Sequence, residues 1–212
     1  MTGGRVGVFG GAFDPPHIGH LVVAQDVFEF LQLDLLLVVP TARPPHRGVQ
    51  MSGEQRLELT RAAFGGDSRM RVSDIELNRP GPSWSVRTLE SIRDALRPER
   101  LWLVIGADQY GSFDSWHQPV RILELAELAV LPRDGASPRI DPRYPCTVVP
   151  ATRVDVSSTR IRERLDAGLG ARYLVPESIR ERLEQIWWQA RPDGAPASTV
   201  SAGPEKDAGD GC

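Results

Sequence analysis

The chain has 212 residues, of which 41% are hydrophobic and 25% charged, the composition of an ordinary soluble globular protein with one domain, or one domain and a tail. A formal net charge of −3 argues against a general polyanion binder, nucleic acid included, while leaving room for a local basic pocket. No apolar run approaches the length of a membrane span, and the run after Met1–Arg5 is too short for a signal-peptide core, so a cytoplasmic location is expected. Cys146 and Cys212 lack the paired spacing of a disulfide framework or a zinc site. Of the 25 lysines and arginines, Lys206 alone is lysine. It lies in a predicted tail, so a Schiff-base or P-loop lysine is excluded. Any phosphate chemistry must rest on arginine, histidine, backbone N–H groups and a metal ion.

In chain order, Arg5–Phe9 reads as a short buried strand, followed by a loop over Gly10–Pro16. Leu21, Ala24, Val27, Phe28 and Leu31 recur at helical spacing and predict a helix over Ile18–Leu31. Leu35–Val39 suits a strand buried on both faces, Pro40–Ser52 a loop, and Glu54–Phe64 a helix capped by Ser52. A strand is expected over Arg71–Leu77, a turn over Asn78–Ser83, a helix over Val86–Leu96 and a strand over Leu101–Ile105. Gly106–Asp114 reads as a loop. After it come a short helix at Pro119–Leu125, strands at Leu128–Leu131 and Cys146–Val149, and helices at Ser158–Ala167 and Glu177–Trp188. Strands alternating with helices predict an α/β, Rossmann-like doubly wound parallel sheet in a single domain over residues 1–190. From Arg191 the composition turns to Gly, Ala, Pro, Ser and Asp, with Val200 the only sizeable aliphatic. Such a segment buries too little apolar area to order, so 191–212 is expected to be a disordered tail.

The strongest motif is Gly10-Gly11-Ala12-Phe13-Asp14-Pro15-Pro16-His17-Ile18-Gly19-His20. Glycines directly after a first strand let a ligand approach the backbone. The helix start behind them, with its free N–H groups, favours an anion. His17 and His20, three apart, share one helix face and can donate hydrogen bonds to phosphate oxygens as charge grows. A capped helix with backbone-bonded histidines is the structural alternative, and a metal pair, normally spaced i, i+4, is another. The second motif is Ser157-Ser158-Thr159-Arg160-Ile161-Arg162, where hydroxyls open a helix and arginines sit against the preference of its dipole. A surface cap explains the hydroxyls, and a bound polyphosphate explains both. Three further segments are Pro44-Pro45-His46-Arg47, Pro82-Ser83-Trp84-Ser85-Val86-Arg87-Thr88 and Ile105-Gly106-Ala107-Asp108 with Trp116-His117. Singly, each also reads as a turn, a core aromatic or a strand end.

The first motif resembles the His-x-Gly-His nucleotidyltransferase superfamily, and the segments in this order resemble its bacterial nicotinate-mononucleotide adenylyltransferase family over Val6–Trp187. Class I aminoacyl-tRNA synthetases share His-Ile-Gly-His, but their lysine-rich second motif and anticodon-binding domain have no place here. The resemblance implies transfer of the adenylyl group of ATP to nicotinate mononucleotide, with Mg²⁺ carried largely by the ATP phosphates and no dedicated protein metal site. It makes His17, His20 and Arg160 the source of charge and hydrogen-bond donors at the reacting phosphate. Gly10, Gly11, Ala12, Phe13, Gly106, Asp108, Ser157, Ser158, Thr159 and Ile161 would contact ATP, with Ile161 beside the adenine and Asp108 on ribose hydroxyls. Arg47, Trp84, Ser85, Thr88 and Trp116 would hold the mononucleotide, with Trp116 stacked on its ring and the Trp84 backbone and Ser85 on its carboxylate. Departures from the family pattern are Ala12 for a frequent Thr, Trp84 for Tyr, Arg47 where Lys is also usual, and the tail. A phosphopantetheine or nicotinamide-mononucleotide substrate, a non-catalytic nucleotide sensor and a homo-oligomeric state stay open.

Overall fold

Strand β1 (Arg5–Gly11) buries Val6, Val8 and Phe9. Strand β2 (Leu35–Pro40) sends Leu37 and Val39 to the face shared with Val6 and Val8, and Leu36 and Val38 to the face shared with Phe9. Unbroken apolar runs of this kind are what a strand covered on both sides requires. The computed structural model describes residues 4–43, 48–132 and 139–190. Within them β3 (Met70–Val72), β4 (Arg100–Gly106), β5 (Glu127–Leu131) and β6 (Cys146–Val148) complete a wholly parallel six-stranded sheet, ordered β3-β2-β1-β4-β5-β6.

The helices are α1 (Ile18–Phe30), α2 (Gly53–Phe64), α3 (Ser85–Leu96), α4 (Ala107–Gly111), α5 (Pro119–Leu125), α6 (Ser158–Asp166) and α7 (Glu177–Gln189). One face of the sheet is covered by α3, α4 and α5 through Leu89, Ile92, Tyr110 and Ile122. The other is covered by α1 and the end of α2, through Ala24, Val27 and Phe64. A third cluster packs Leu59 of α2 against Ile161 and Leu165 of α6 and Ile179 and Leu183 of α7. The expected doubly wound α/β fold is therefore present. Strand β1 lies between β2 and β4, with α1 leaving it toward one face and α3 reaching β4 from the other. A sheet wound this way leaves a crevice beyond the carboxyl ends of those strands. Pairing of Phe9 with Val104 brings Gly10–Gly11 and Gly106 to that crevice side by side.

Two expectations need correction. The strand expected over Arg71–Leu77 ends at Val72. Ser73 N–H still bonds Val38 O, but Asn78 N–H then bonds Asp74 O, a turn that spends the backbone groups a strand would need. The segment after Gly106 is not loop: α4 forms there, with a 3-10 turn over Phe113–Ser115 behind it. Gln109 Oε1 accepts from Gly106 N–H at 3.1 Å and caps the short helix. The expected tail, 191–212, lies outside the described residues.

Candidate active site

The loop after β1 is held from below by its own aromatic residue. Phe13 has φ +46° and is 1% exposed, with its ring edge-on to His20 (4.9 Å between centroids), Phe9 and Phe64. It supports His20 from the core. His17 is the N-cap of α1 in extended backbone conformation, and its N–H donates to His20 Nδ1 at 3.1 Å. The two imidazoles stack with centroids 3.7 Å apart. Because His20 Nδ1 accepts, the proton of the neutral ring sits on Nε2 and makes that atom a donor. Gly19 permits the packing, since a Cβ there would lie 3.0 Å from Val156 Cγ1 and 3.1 Å from His17 Nδ1.

Burial sets the charge of this pair. Desolvation lowers the His17 pKa from 6.5 to about 4, and desolvation followed by repulsion from His17 holds His20 well below the usual range. At neutral pH both rings are uncharged donors, so the positive charge expected of them falls to the arginines. Between pH 6.5 and about 4 the unfolded chain binds protons that the folded chain refuses, so stability is full above 6.5 and falls as pH drops through that window. Unfolding by urea at pH 7 and at pH 4.5 is expected to differ by roughly 2 kcal/mol from His17, and His17→Gln should remove much of that slope.

The second motif docks directly on the first. Ser157 caps α6, its Oγ accepting from Arg160 N–H at 3.2 Å. Ser158 Oγ donates to Pro15 O at 2.8 Å, and Arg162 Nη1 donates to Asp14 O at 2.8 Å. Segments more than 140 residues apart thereby meet in one cleft edge, with Ser157 and Thr159 exposed or partly exposed at the open helix end. The two arginines divide their work. Arg162 is half-buried against Asp14, while Arg160 projects outward, its side chain 64% exposed.

Asp14 and Arg56 hold the loops in place. The Asp14 carboxylate accepts from Gln50 N–H (2.9 Å) and Met51 N–H (3.0 Å) and lies 3.7 Å from Arg162. Arg56 is fully buried and spreads its guanidinium over the carbonyls of Ala12 (2.7 Å), Thr41 (2.8 Å), Ala42 (3.3 Å) and Met51 (3.4 Å). One side chain thus ties the loop after β1 to the loop after β2.

A separate aromatic group stands at the start of α3. Trp84, its N-cap, stacks on His117 with centroids 4.7 Å apart and planes at 25°. Trp116 packs on Phe113 at 5.4 Å. Ser85 opens the helix. Arg43 N–H donates to Ser83 Oγ at 3.3 Å, joining the loop after β2 to this group.

Comparison with known proteins decides the family. A cytidylyltransferase-like family model matches residues 8–164. A probable nicotinate-nucleotide adenylyltransferase of Thermus thermophilus is 40% identical over 181 residues, covering 85% of this chain and 97% of that protein. One of Gemmatimonas aurantiaca is 39% identical, covering 82% and 87%. The chain belongs to the nicotinate-nucleotide adenylyltransferase family. The fold agrees: the Plasmodium falciparum nicotinic acid mononucleotide adenylyltransferase complexed with NaAD superposes with TM-score 0.63 at 15% identity, over 76% of this chain and 83% of that one.

Set against the family expectation, the residues fall into three groups. Gly10, Gly11, Ala12, His17, His20, Gly106, Asp108, Ser157, Ser158 and Thr159 lie along the carboxyl edge of the sheet or at the α6 end docked on it. Trp84, Ser85 and Trp116 form the second group around the start of α3. The third group is turned inward. Ile161 is fully buried in the cluster between α2, α6 and α7, and Thr88 is buried with its hydroxyl donated to Glu76 Oε1 at 2.9 Å. Arg47, with Pro44–His46, lies outside the described residues. Three contributors were missed from sequence: Arg56 and Arg162 as positioning residues, and His117 as the partner of Trp84. Arg56 could have been found, because it shares the inward stripe of α2 with Leu59 and Thr60 at i+3 and i+4, where an arginine must be fully bonded.

Proposed function

We propose that the chain transfers the adenylyl group of ATP to nicotinate mononucleotide, giving nicotinate adenine dinucleotide and pyrophosphate, in the cytoplasm. The observation that carries this reading is the docking of the α6 end on the Asp14–Pro15 loop. It gathers the Gly10–Gly11 backbone, the His17–His20 stack and the α6 hydroxyls around one cleft at the switch point of the sheet. The mononucleotide phosphate oxygen attacks the α-phosphorus in line as the bond to the β-phosphate oxygen breaks and pyrophosphate leaves. Such a transfer needs positioning and charge stabilisation more than a protein nucleophile. His20 Nε2–H donates to the α-phosphate as charge grows, and exposed Arg160 supplies charge beside it.

Among the described residues no three His, Cys, Asp or Glu side chains gather into a metal cage, and Asp14 is committed to backbone amides and Arg162. That donor set fits an Mg²⁺ ion held by ATP phosphates and water. When bound, it neutralises charge on the phosphate oxygens. Acid in preference to amide is supported by the helix start at Ser85, whose free N–H groups favour a carboxylate.

Two substitutions test the two halves. Trp116→Ala is expected to raise KM for the mononucleotide about tenfold, a lost stacking surface, with KM for ATP unchanged. An unchanged mononucleotide KM would remove Trp116 from the site. A Cβ added at Gly10 would meet no atom of the protein within 4 Å, so Gly10→Ala should leave the urea midpoint unchanged. It should still weaken ATP binding about tenfold, because the methyl group enters the nucleotide's space. Equal ATP affinity in calorimetry would place the nucleotide elsewhere.

A further inference from the structure

Between α4 and the edge strand β6, one phenol holds a whole turn. Tyr110, 5% exposed, reaches from α4 to the segment just before β6. Its hydroxyl donates to Tyr144 O at 2.6 Å and accepts from Asp141 N–H at 3.1 Å. Tyr144 N–H itself donates to Asp141 O at 2.9 Å, so the phenol spans both ends of one four-residue turn. Burial pushes the Tyr110 pKa above the ordinary phenol range, and at neutral pH the donated proton stays in place. The remaining polar supports of the turn are weak. Strand β6 has three residues and pairs on one side only, with β5. The ion pair of Asp141 with Arg143 has its arginine 67% exposed and adds little.

The turn also starts a ladder of aromatic rings. The Tyr144 ring meets Phe113 edge-on, with centroids 5.2 Å apart and planes at 77°. Phe113 is fully buried and meets Trp116 at 5.4 Å and 45°. Trp116 N–H donates to Phe113 O at 3.1 Å, which ties the two residues through the backbone as well. The indole of Trp116 is half-buried and keeps surface for a ligand. We propose that Tyr110 is a positioning residue for the mononucleotide, setting the attitude of Trp116 through the Asp141–Tyr144 turn, Tyr144 and Phe113. This rests on the proposed stacking of the pyridine ring on Trp116. Ring stacking needs a defined tilt and separation, and a close-packed interior passes a shift of one ring to the next. Only the ring and the carbonyl of Tyr144 take part, so its own hydroxyl is dispensable.

The test uses the full chain labelled with fluorotryptophan, as the parent, Tyr110→Phe, Tyr144→Ala and Tyr144→Phe, each shown to be folded by a circular dichroism melt. Fluorine NMR, with the Trp116 signal assigned by Trp116→Phe, reads the surroundings of that ring. Calorimetry reads nicotinate mononucleotide and α,β-methylene-ATP separately. Tyr110→Phe is expected to displace the Trp116 signal and weaken the mononucleotide about fivefold, the net worth of one buried hydrogen bond. Tyr144→Ala should do the same at about tenfold, a lost aromatic contact. Affinity for α,β-methylene-ATP should be unchanged in both, and Tyr144→Phe should match the parent throughout. An unmoved Trp116 signal with unchanged mononucleotide affinity in Tyr110→Phe and Tyr144→Ala overturns the proposal. Equal weakening of both ligands also overturns it, since that is a general structural role. A parent that binds no mononucleotide, with the Trp116 signal still displaced in the two variants, would overturn the adenylyl-transfer reading and leave the positioning of Trp116 by Tyr110 supported.

Discussion

His20→Gln is expected to lower turnover about 10²–10³-fold, the loss of one charge-stabilising donor, while leaving stability nearly unchanged. The reason lies in the two jobs of the ring. His20 Nδ1 accepts the N–H of His17, as a glutamine three residues after an N-cap does in a capping box. Its Nε2–H is left for the phosphate, and glutamine does not replace a donor at that place. His20→Ala loses both functions, so the same fall in turnover comes with about 1 kcal/mol of stability. Steady-state pyrophosphate release and thermal unfolding on the same samples separate the two effects. His17→Ala should fall in the same range of turnover. Near-normal turnover in both His17→Ala and His20→Gln would remove the pair from the chemistry.

The largest effect on stability is expected from Arg56→Met, about 3–5 kcal/mol of destabilisation in urea unfolding. Methionine fills much of the volume but leaves the carbonyls of Ala12, Thr41, Ala42 and Met51 without their buried donor. Thr41 and Ala42 belong to the loop after β2 and Ala12 to the loop after β1, so any folded remainder should also bind nucleotide poorly. Arg56→Lys keeps a charge but reaches fewer acceptors, and recovers only part of the loss. A change below about 1 kcal/mol in Arg56→Met would mean that water or neighbouring groups replace the guanidinium.

How far the sequence carries can be judged from particular segments. The apolar runs of β1, β2 and β4 have no polar alternation, which a parallel sheet covered on both faces explains, and with them the doubly wound order is legible. Ser52 reads as a cap, and Ser52 Oγ accepts from Gln55 N–H at 3.2 Å. By contrast α4 was hidden, since its five residues run from Ala107 to Gly111 and its cap is a glutamine side chain. Residues after Val72 alternate like a strand, but backbone turns, invisible to periodicity, take over there. At the site, residue types and spacing pointed to the histidine pair and the α6 hydroxyls. Which way a side chain faces was not legible: Phe13 and Ile161 lie in the core. The partition of Arg160 and Arg162 depends on the helix cap at Ser157, which places Arg162 one turn beyond Ser158 and against Asp14. The neutral state of His17 and His20 is a property of burial, and no motif carries it.

Adenylyl transfer to a pyridine mononucleotide stands or falls on pyrophosphate release from ATP and Mg²⁺ with nicotinate mononucleotide, run beside nicotinamide mononucleotide at equal concentration. Rapid release and a dinucleotide product are expected with the acid, and far slower release with the amide. Equal rates would contradict the carboxylate site at Trp84–Ser85, and release with neither would contradict the transfer itself.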